Sequence, residues 1–389
     1  MLKPPVYLDN NATTPCDPRV VAAMLPFFTE QYGNAESVNH AFGRAAHDAI
    51  EQARRQVAAC LGAHPTEIIF TGGATESNNI AIKGVCKAFE RDGGHVITCC
   101  TEHKAVLGPI DTLKAHGFRV SCLEVDEFGR VTPEQVADAI EPDTRLISLM
   151  WANNEIGTLH PIAAIGRLAK ARGVLFHTDA AQGVGKLRCR VDDLGVDLLS
   201  LSAHKLYGPK GVGALYVRRR EPPIPVFPVL EGAGHERGLR SGTHNVPGIV
   251  GAGVACAVAD ADIEEEGHRL TSLRERLRTI LFDGLEDIIL NGHPTDRLPG
   301  NLNISVAGVE PEPLVTGLRT VALSSGSACS TGAAAPSRVL LAIGRTPEQA
   351  QRSLRMCVGR FTTDEEVDYA GEQIVKHVTR LRRTAAVAS

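Results

Sequence analysis

The chain has 389 residues, 43% of them hydrophobic and 22% charged, with a formal net charge of −4. That length exceeds what one core usually holds, so two domains are expected, and the near-neutral charge gives no reason to expect direct nucleic-acid binding. No stretch reads as the ~20 apolar residues of a membrane span and the N-terminus has no signal-peptide core, so no membrane contact and a cytoplasmic location are expected.

Asp17-Pro18 reads as an N-cap followed by proline at the first helical position. A longer amphipathic helix is predicted at 42–61, stopped by Gly62. Strands are predicted at 67–71, 96–101, 120–125, 146–151, 175–179, 198–202 and 214–217. A helix opens at Ala74 and runs to about 91, and Thr132-Pro133-Glu134-Gln135 is a capping box. Apolar strands alternating with helices imply a largely parallel seven-stranded sheet flanked by helices. The last strand follows too closely for a crossover helix and is expected to be antiparallel. Glu221-Pro222-Pro223-Ile224-Pro225 reads as a stiff surface segment. Past about 258 the texture changes: a charged helix at 263–285, shorter strands at 301–306 and 353–358, and a last helix opened by a capping box at Thr362-Thr363-Asp364-Glu365. The expected fold is α/β, with a large domain over 16–257 and a smaller α+β domain formed by 1–15 and 258–389.

Ten cysteines are scattered without a Cys-x-x-Cys pair, which favours reduced, mostly buried thiols. Fourteen histidines show no metal-ligand spacing, and no metal is expected.

In such sheets ligands sit beyond the carboxyl ends of the strands, and the unusual polar residues fall there. Thr71-Gly72-Gly73-Ala74-Thr75 joins a strand to a helix N-terminus, a natural anion site. His103 follows the second strand, and Asn153-Asn154 end the fourth. Asp179 ends the fifth as a carboxylate in an apolar strand, which calls for a cationic partner. Lys205 sits just past the sixth, before a Gly/Pro-rich turn. A strand-end lysine ordinarily reaches solvent, but a desolvated one forms a Schiff base readily. Together these are the parts that pyridoxal 5′-phosphate requires: a lysine for the imine, a helix N-terminus for the phosphate, an aspartate for the pyridinium nitrogen and a histidine to stack on the ring.

The chain resembles cysteine desulfurases of the NifS/IscS type, in the class V aminotransferase group of fold-type I pyridoxal phosphate enzymes. The likeness spans the whole chain. It runs through Tyr7-Leu8-Asp9-Asn10-Asn11-Ala12-Thr13-Thr14, Thr101-Glu102-His103, Trp151-Ala152-Asn153-Asn154-Glu155, His177-Thr178-Asp179 and Ser202-Ala203-His204-Lys205. It continues in Arg240-Ser241-Gly242-Thr243, Ser324-Ser325-Gly326-Ser327-Ala328-Cys329, Ser353-Leu354-Arg355 and Gly359-Arg360-Phe361-Thr362.

The resemblance implies that Lys205 holds the cofactor and removes the substrate α-proton. Asp179 pairs with the pyridine nitrogen, and Gln182 and Asn154 contact the ring hydroxyl side. Ala74, Thr75, Ser202 and His204 hold the phosphate, and Thr243 reaches the phosphate in the neighbouring subunit of a homodimer. Arg355 clamps the carboxylate of L-cysteine, with Asn154 beside it, and His103 is the acid/base near the sulfur. Cys329, in a Ser/Gly/Ala-rich segment expected to be mobile, accepts the sulfur as a persulfide, and L-alanine is left.

Three departures stand out. Asn34-Ala35-Glu36-Ser37 replaces the commoner Asn-Pro-Ser-Ser, Ser330 to Pro336 lacks the usual leucine-glutamate pair, and the chain stops soon after Arg383. These point to a dedicated acceptor protein, an iron–sulfur scaffold or a thiolation or phosphorothioation enzyme. A selenocysteine lyase or another class V aminotransferase is the alternative. A non-catalytic sulfur carrier is disfavoured because Lys205, Asp179 and Arg355 are all present.

Overall fold

A computed structural model describes residues 4–325 and 335–388, so Cys329 lies outside the described residues. In chain order the strands are β1 (Val6–Tyr7), β2 (Ile68–Thr71), β3 (Gly94–Cys99), β4 (Phe118–Leu123), β5 (Thr144–Ser148), β6 (Leu175–Asp179), β7 (Leu198–Ser202) and β8 (Gly213–Val217). Then follow β9 (Ile288–Leu290), β10 (Asn301–Val306), β11 (Val321–Ala322), β12 (Ser324–Ser325) and β13 (Ser353–Cys357).

Seven of these form one sheet in the order β2-β8-β7-β6-β5-β3-β4. β3 to β7 pair in parallel, and β8 is antiparallel to both β2 and β7, as its short connection requires. Every residue of β2, β3, β6 and β7 is buried, because helices cover both faces, whereas the edge strand β4 exposes Arg119 and Cys122. One face carries the helices Ala41–Leu61 and Ile162–Arg172 over a core that includes Val57, Phe70, Ile147 and Phe176. The other carries Lys104–Ala115 over Val96, Ile110 and Leu146.

A four-stranded antiparallel sheet, β12-β13-β10-β9, forms a second core with Leu270, Leu277, Ile304, Leu354 and Ile374. The N-terminus joins it: β1 pairs with β11, and Leu8 is fully buried there.

Several boundaries differ from the sequence reading. β3 and β4 begin two residues earlier than expected, because the polar start of β3 is satisfied internally: His95 bonds Thr144 and Ser121 at 2.9 Å each. β5 ends at Ser148, although Leu149 and Trp151 still donate to the carbonyls of His177 and Asp179. The helix opening at Ala74 widens into a π turn over Ile80–Gly84, where the Gly84 carbonyl accepts from the N–H of Phe227. The final helix, Asp364–Ala388, is capped one residue later than expected, with Thr363 and Glu366 exchanging the box bonds.

The largest correction concerns the helix expected at 263–285. It is the second half of a 39-residue helix, Val246–Gly284, which crosses the expected boundary at 257/258 without a break. Its first half, rich in Gly and Ala, packs into the large core, and Leu270 to Leu281 pack into the small one. By length and composition this helix contains a window apolar enough to cross a membrane, which the sequence reading passed over. The packing explains the composition: a Cβ on Gly253 would lie 2.6 Å from the Cα of Ala53, so the two long helices touch through glycine.

Candidate active site

A cavity of about 1260 Å³ opens at the carboxyl ends of the parallel strands. Of the residues expected to act, Lys205, His103, Asp179, Gln182, Ala74, Thr75, Ser202, His204, Asn154 and Arg355 all line it. Thr243 does not; it is exposed on a loop of the same chain.

Lys205 ends a single 3₁₀ turn directly after β7, so the strand end sets its position. Its Nζ donates to the carbonyls of Asn11 and Ala12 at 2.7 and 2.6 Å. Burial, reinforced by the Arg355 cation, pulls its pKa down to about 8. The sequence-stretch 9–14 therefore has a structural task that its pattern alone did not disclose: its backbone holds the lysine.

Asp179 ends β6 and is 6% exposed. Its oxygens accept from the Asn78 amide at 2.8 Å and from the Ala181 N–H at 3.0 Å. The cationic partner expected for it is absent: among the described residues no Lys, Arg or His nitrogen lies within ion-pair distance. A buried carboxylate facing a cavity with only neutral donors fits the pyridinium N–H of pyridoxal phosphate. Asn78, which positions this carboxylate, was not identified from the sequence.

The phosphate end is also consistent. Gly73 (φ 145°) turns β2 into the helix at Ala74, and its Cα lies so close to β8 that a Cβ on Gly213 would meet it at 2.7 Å. Opposite, His204 bonds the Thr13 hydroxyl at 3.1 Å and is pushed down to about 4 by burial and by Lys205, Lys210 and Lys186. Lys186, held by Gln182 at 2.7 Å and Asn11 at 3.1 Å, falls to about 7 through burial and the Lys205 charge. Lys205 and Lys210 line this cavity, and their positive field suits a dianion. The residues present therefore fit pyridoxal phosphate: Lys205 for its aldehyde, Asp179 for its ring nitrogen, and Ala74, Thr75, Ser202 and His204 for its phosphate.

His103 caps the helix Lys104–Ala115, and its Nδ1 accepts from the Ala105 N–H at 3.1 Å. A neutral ring therefore carries its proton on Nε2. Burial lowers its pKa, so the neutral form dominates at pH 7. Next to it Glu102 is 1% exposed and pushed up to about 8, by burial first and then against hydrogen bonding from Met150. Burial thus favours its protonated form at neutral pH; one oxygen accepts from the Met150 N–H at 2.6 Å and the other has no partner among the described residues. Its sequence context gave no hint of that state.

Arg355 projects from β13 and is anchored by Asp9 at 2.7 Å, Ser324 at 2.9 Å and the Asn154 carbonyl at 3.3 Å. Its Nε has no acceptor among the described residues. A guanidinium anchored in this way at the cavity wall suits an amino-acid carboxylate. Glu36, His235 and His244, far apart or unpatterned in the sequence, converge outside this cavity.

With this geometry in hand, the comparisons are specific. A model of the class-V aminotransferase family matches residues 6–370. The cysteine desulfurase IscS of Anaeromyxobacter dehalogenans (strain 2CP-C) is 51% identical over 381 residues, covering 98% of this chain and 94% of that protein. A solved structure described as a NifS-like protein matches with a TM-score of 0.89 at 38% identity, over 97% of this chain and 100% of that one. A structure described as SspA in complex with cysteine matches with a TM-score of 0.81 at 38% identity, over 92% and 99% of the two chains.

Proposed function

Because the chain belongs to the class-V aminotransferase family, whose members use pyridoxal phosphate, we propose that its cavity converts L-cysteine to L-alanine and passes the sulfur to Cys329. It is a pyridoxal phosphate-dependent cysteine desulfurase that supplies sulfur for iron–sulfur assembly or thiolation. The observation that carries this reading is the meeting, in one cavity, of the depressed Lys205 amine with the Asp179 carboxylate that has no cation of its own.

Arg355 binds the substrate carboxylate and orients the amino acid. Bound pyridoxal phosphate supplies an electron sink that loosens the substrate Cα–H and Cβ–S bonds. Lys205, as a free amine, takes the α-proton, and His103 exchanges a proton at Nε2 beside the substrate sulfur. The Cys329 thiolate attacks that sulfur: the Cβ–S bond breaks, an S–S bond forms, and protonation at Cβ leaves alanine and a persulfide. Atoms balance without an external oxidant, since cysteine plus thiol equals alanine plus persulfide.

A homodimer with shared sites is part of the proposal. Leu25, Phe28, Tyr32 and Phe42 are 50–66% exposed within one short stretch, and the Tyr32 and Phe42 rings lie 5.4 Å apart. Such a patch suits a subunit interface. Thr243, exposed and not lining its own cavity, would in that dimer serve the partner's. The described cysteines are all free thiols, which suits a reducing, cytoplasmic setting. The sulfur acceptor is a dedicated protein.

The test is incubation of the purified protein with L-cysteine and a reductant. Equal yields of alanine and sulfide are expected. Cys329→Ser should keep the cofactor's visible absorbance and lose sulfide; a fully active variant would overturn the assignment of Cys329.

A further inference from the structure

Outside the cavity of Lys205, the turn at 34–37 meets the loop at 235–244. Glu36, His235 and His244 each place a ligand atom within 4.8 Å of the other two. His244 Nδ1 lies 3.8 Å, and His235 Nε2 3.9 Å, from the same oxygen, Oε1 of Glu36. Neither is a hydrogen bond.

The other nitrogen of His244 settles its proton. Nε2 lies 2.8 Å from Oε1 of Glu236. The two oxygens of Glu236 also accept from the Arg54 guanidinium at 2.7 and 2.8 Å and from the Phe70 N–H at 2.8 Å. Paired bidentately with that guanidinium, this carboxylate acts as an acceptor. His244 therefore donates from Nε2, which leaves Nδ1 turned to Glu36. The side chain is 9% exposed and that Nδ1 has no hydrogen-bond partner among the described residues. An unprotonated Nδ1 facing a carboxylate oxygen leaves two acceptors with nothing between them. A proton on Nδ1 serves this one contact, but with His235 converging on the same oxygen a metal cation serves all three groups.

We propose that Glu36, His235 and His244 bind a divalent transition-metal cation of the zinc type. Two imidazoles and one carboxylate are a recognised zinc donor set, and a carboxylate behind the ligating ring, as Glu236 is here, fixes its tautomer and orientation. Ligand atoms about 2.1 Å from a tetrahedral zinc lie about 3.4 Å apart. The 3.8 and 3.9 Å to Glu36, whose side chain is 59% exposed, need a small contraction that its movement supplies, and the two histidine nitrogens, within 4.8 Å of each other, must also draw together. An adjoining cavity of about 360 Å³, lined by Glu36, His47, Glu51 and His244 and also by Arg237 and by Arg54 in its pair with Glu236, gives the cation access from solution. The site lies in the 34–37 segment where the chain departs from the commoner desulfurase pattern. Its occupancy ties that turn to the loop bearing Arg240 to Thr243, and it does not depend on the desulfurase reading.

The experiment uses the holoenzyme in a Cys329→Ser background, so that zinc on that thiol is not counted. After chelator treatment it is titrated with zinc alone by calorimetry, and retained metal is measured after gel filtration. One zinc per chain is expected, with Kd raised about tenfold or more in Glu36→Gln and in His235→Ala. No retained zinc in the parent, or unchanged binding in both variants, overturns the proposal.

Discussion

Lys205 shows how a single side chain acquires its chemistry from burial. An ordinary lysine titrates at 10.5; here burial, with Arg355 adding to it, brings the value to about 8. Only the free amine captures the cofactor. The rate of pyridoxal phosphate uptake by the apoprotein should therefore climb with pH and level off near 8, and Arg355→Gln should move the break upward. A stopped-flow pH profile that breaks near 10 in the parent would contradict this. Glu102 illustrates the opposite shift. Its carboxyl keeps a proton in the folded state up to about 8 while the unfolded chain loses it near 4.5. The stability this contributes is present at low pH and lost as pH rises through that window. Glu102→Gln, which cannot ionise, should gain in melting temperature relative to the parent between pH 5 and pH 8. A constant difference across that range would show that the carboxyl is already ionised.

Among the elements, the contact between β8 and the turn after β2 has the least freedom. A Cβ on Gly213 would lie 2.4 Å from the Leu201 carbonyl oxygen and 2.7 Å from the Cα of Gly73. Gly213→Ala should cost about 1–3 kcal/mol in urea unfolding, the usual range for overpacking. Since Gly73 opens the expected phosphate cradle, the same variant should also bind pyridoxal phosphate more weakly in a spectrophotometric titration. Loss of stability with unchanged cofactor affinity would separate the strand from the cradle. Sequence periodicity reached this level well: seven strands were legible, including the antiparallel one. The continuous helix Val246–Gly284 was not, because its first half packs through glycine and alanine and carries little amphipathic contrast.

At the scale of the whole molecule, the site is incomplete if Thr243 serves a partner. That arrangement predicts complementation between two inactive chains. Lys205→Ala lacks the amine, and a bulky Thr243→Tyr would obstruct the neighbouring phosphate. In a hybrid dimer one site draws Lys205 from one chain and Thr243 from the other. After subunit exchange, roughly a quarter of the parent activity should return, because half of the dimers are hybrids and each has one intact site of two. No recovery, with exchange shown by a tagged subunit, would mean that each chain serves its own site.

The sequence by itself determined which chemistry was available. The alternation of apolar strands and helices specified a parallel sheet, and the polar residues at strand ends marked Lys205, Asp179, Asn154 and the turn at Gly73, because strand ends follow directly from local pattern. The matched motifs added Arg355 and Cys329. What the tertiary structure alone decided is the partner of each group. Asp9 anchors Arg355, Asn78 holds Asp179, the carbonyls of Asn11 and Ala12 hold Lys205, and Glu236 orients His244 toward Glu36. Apart from Glu236 and His244, which lie on one loop, none of these pairs is close in the chain. Local periodicity carries information about neighbours along the backbone, whereas burial, proton position and ligand convergence depend on which distant segments the packing brings together.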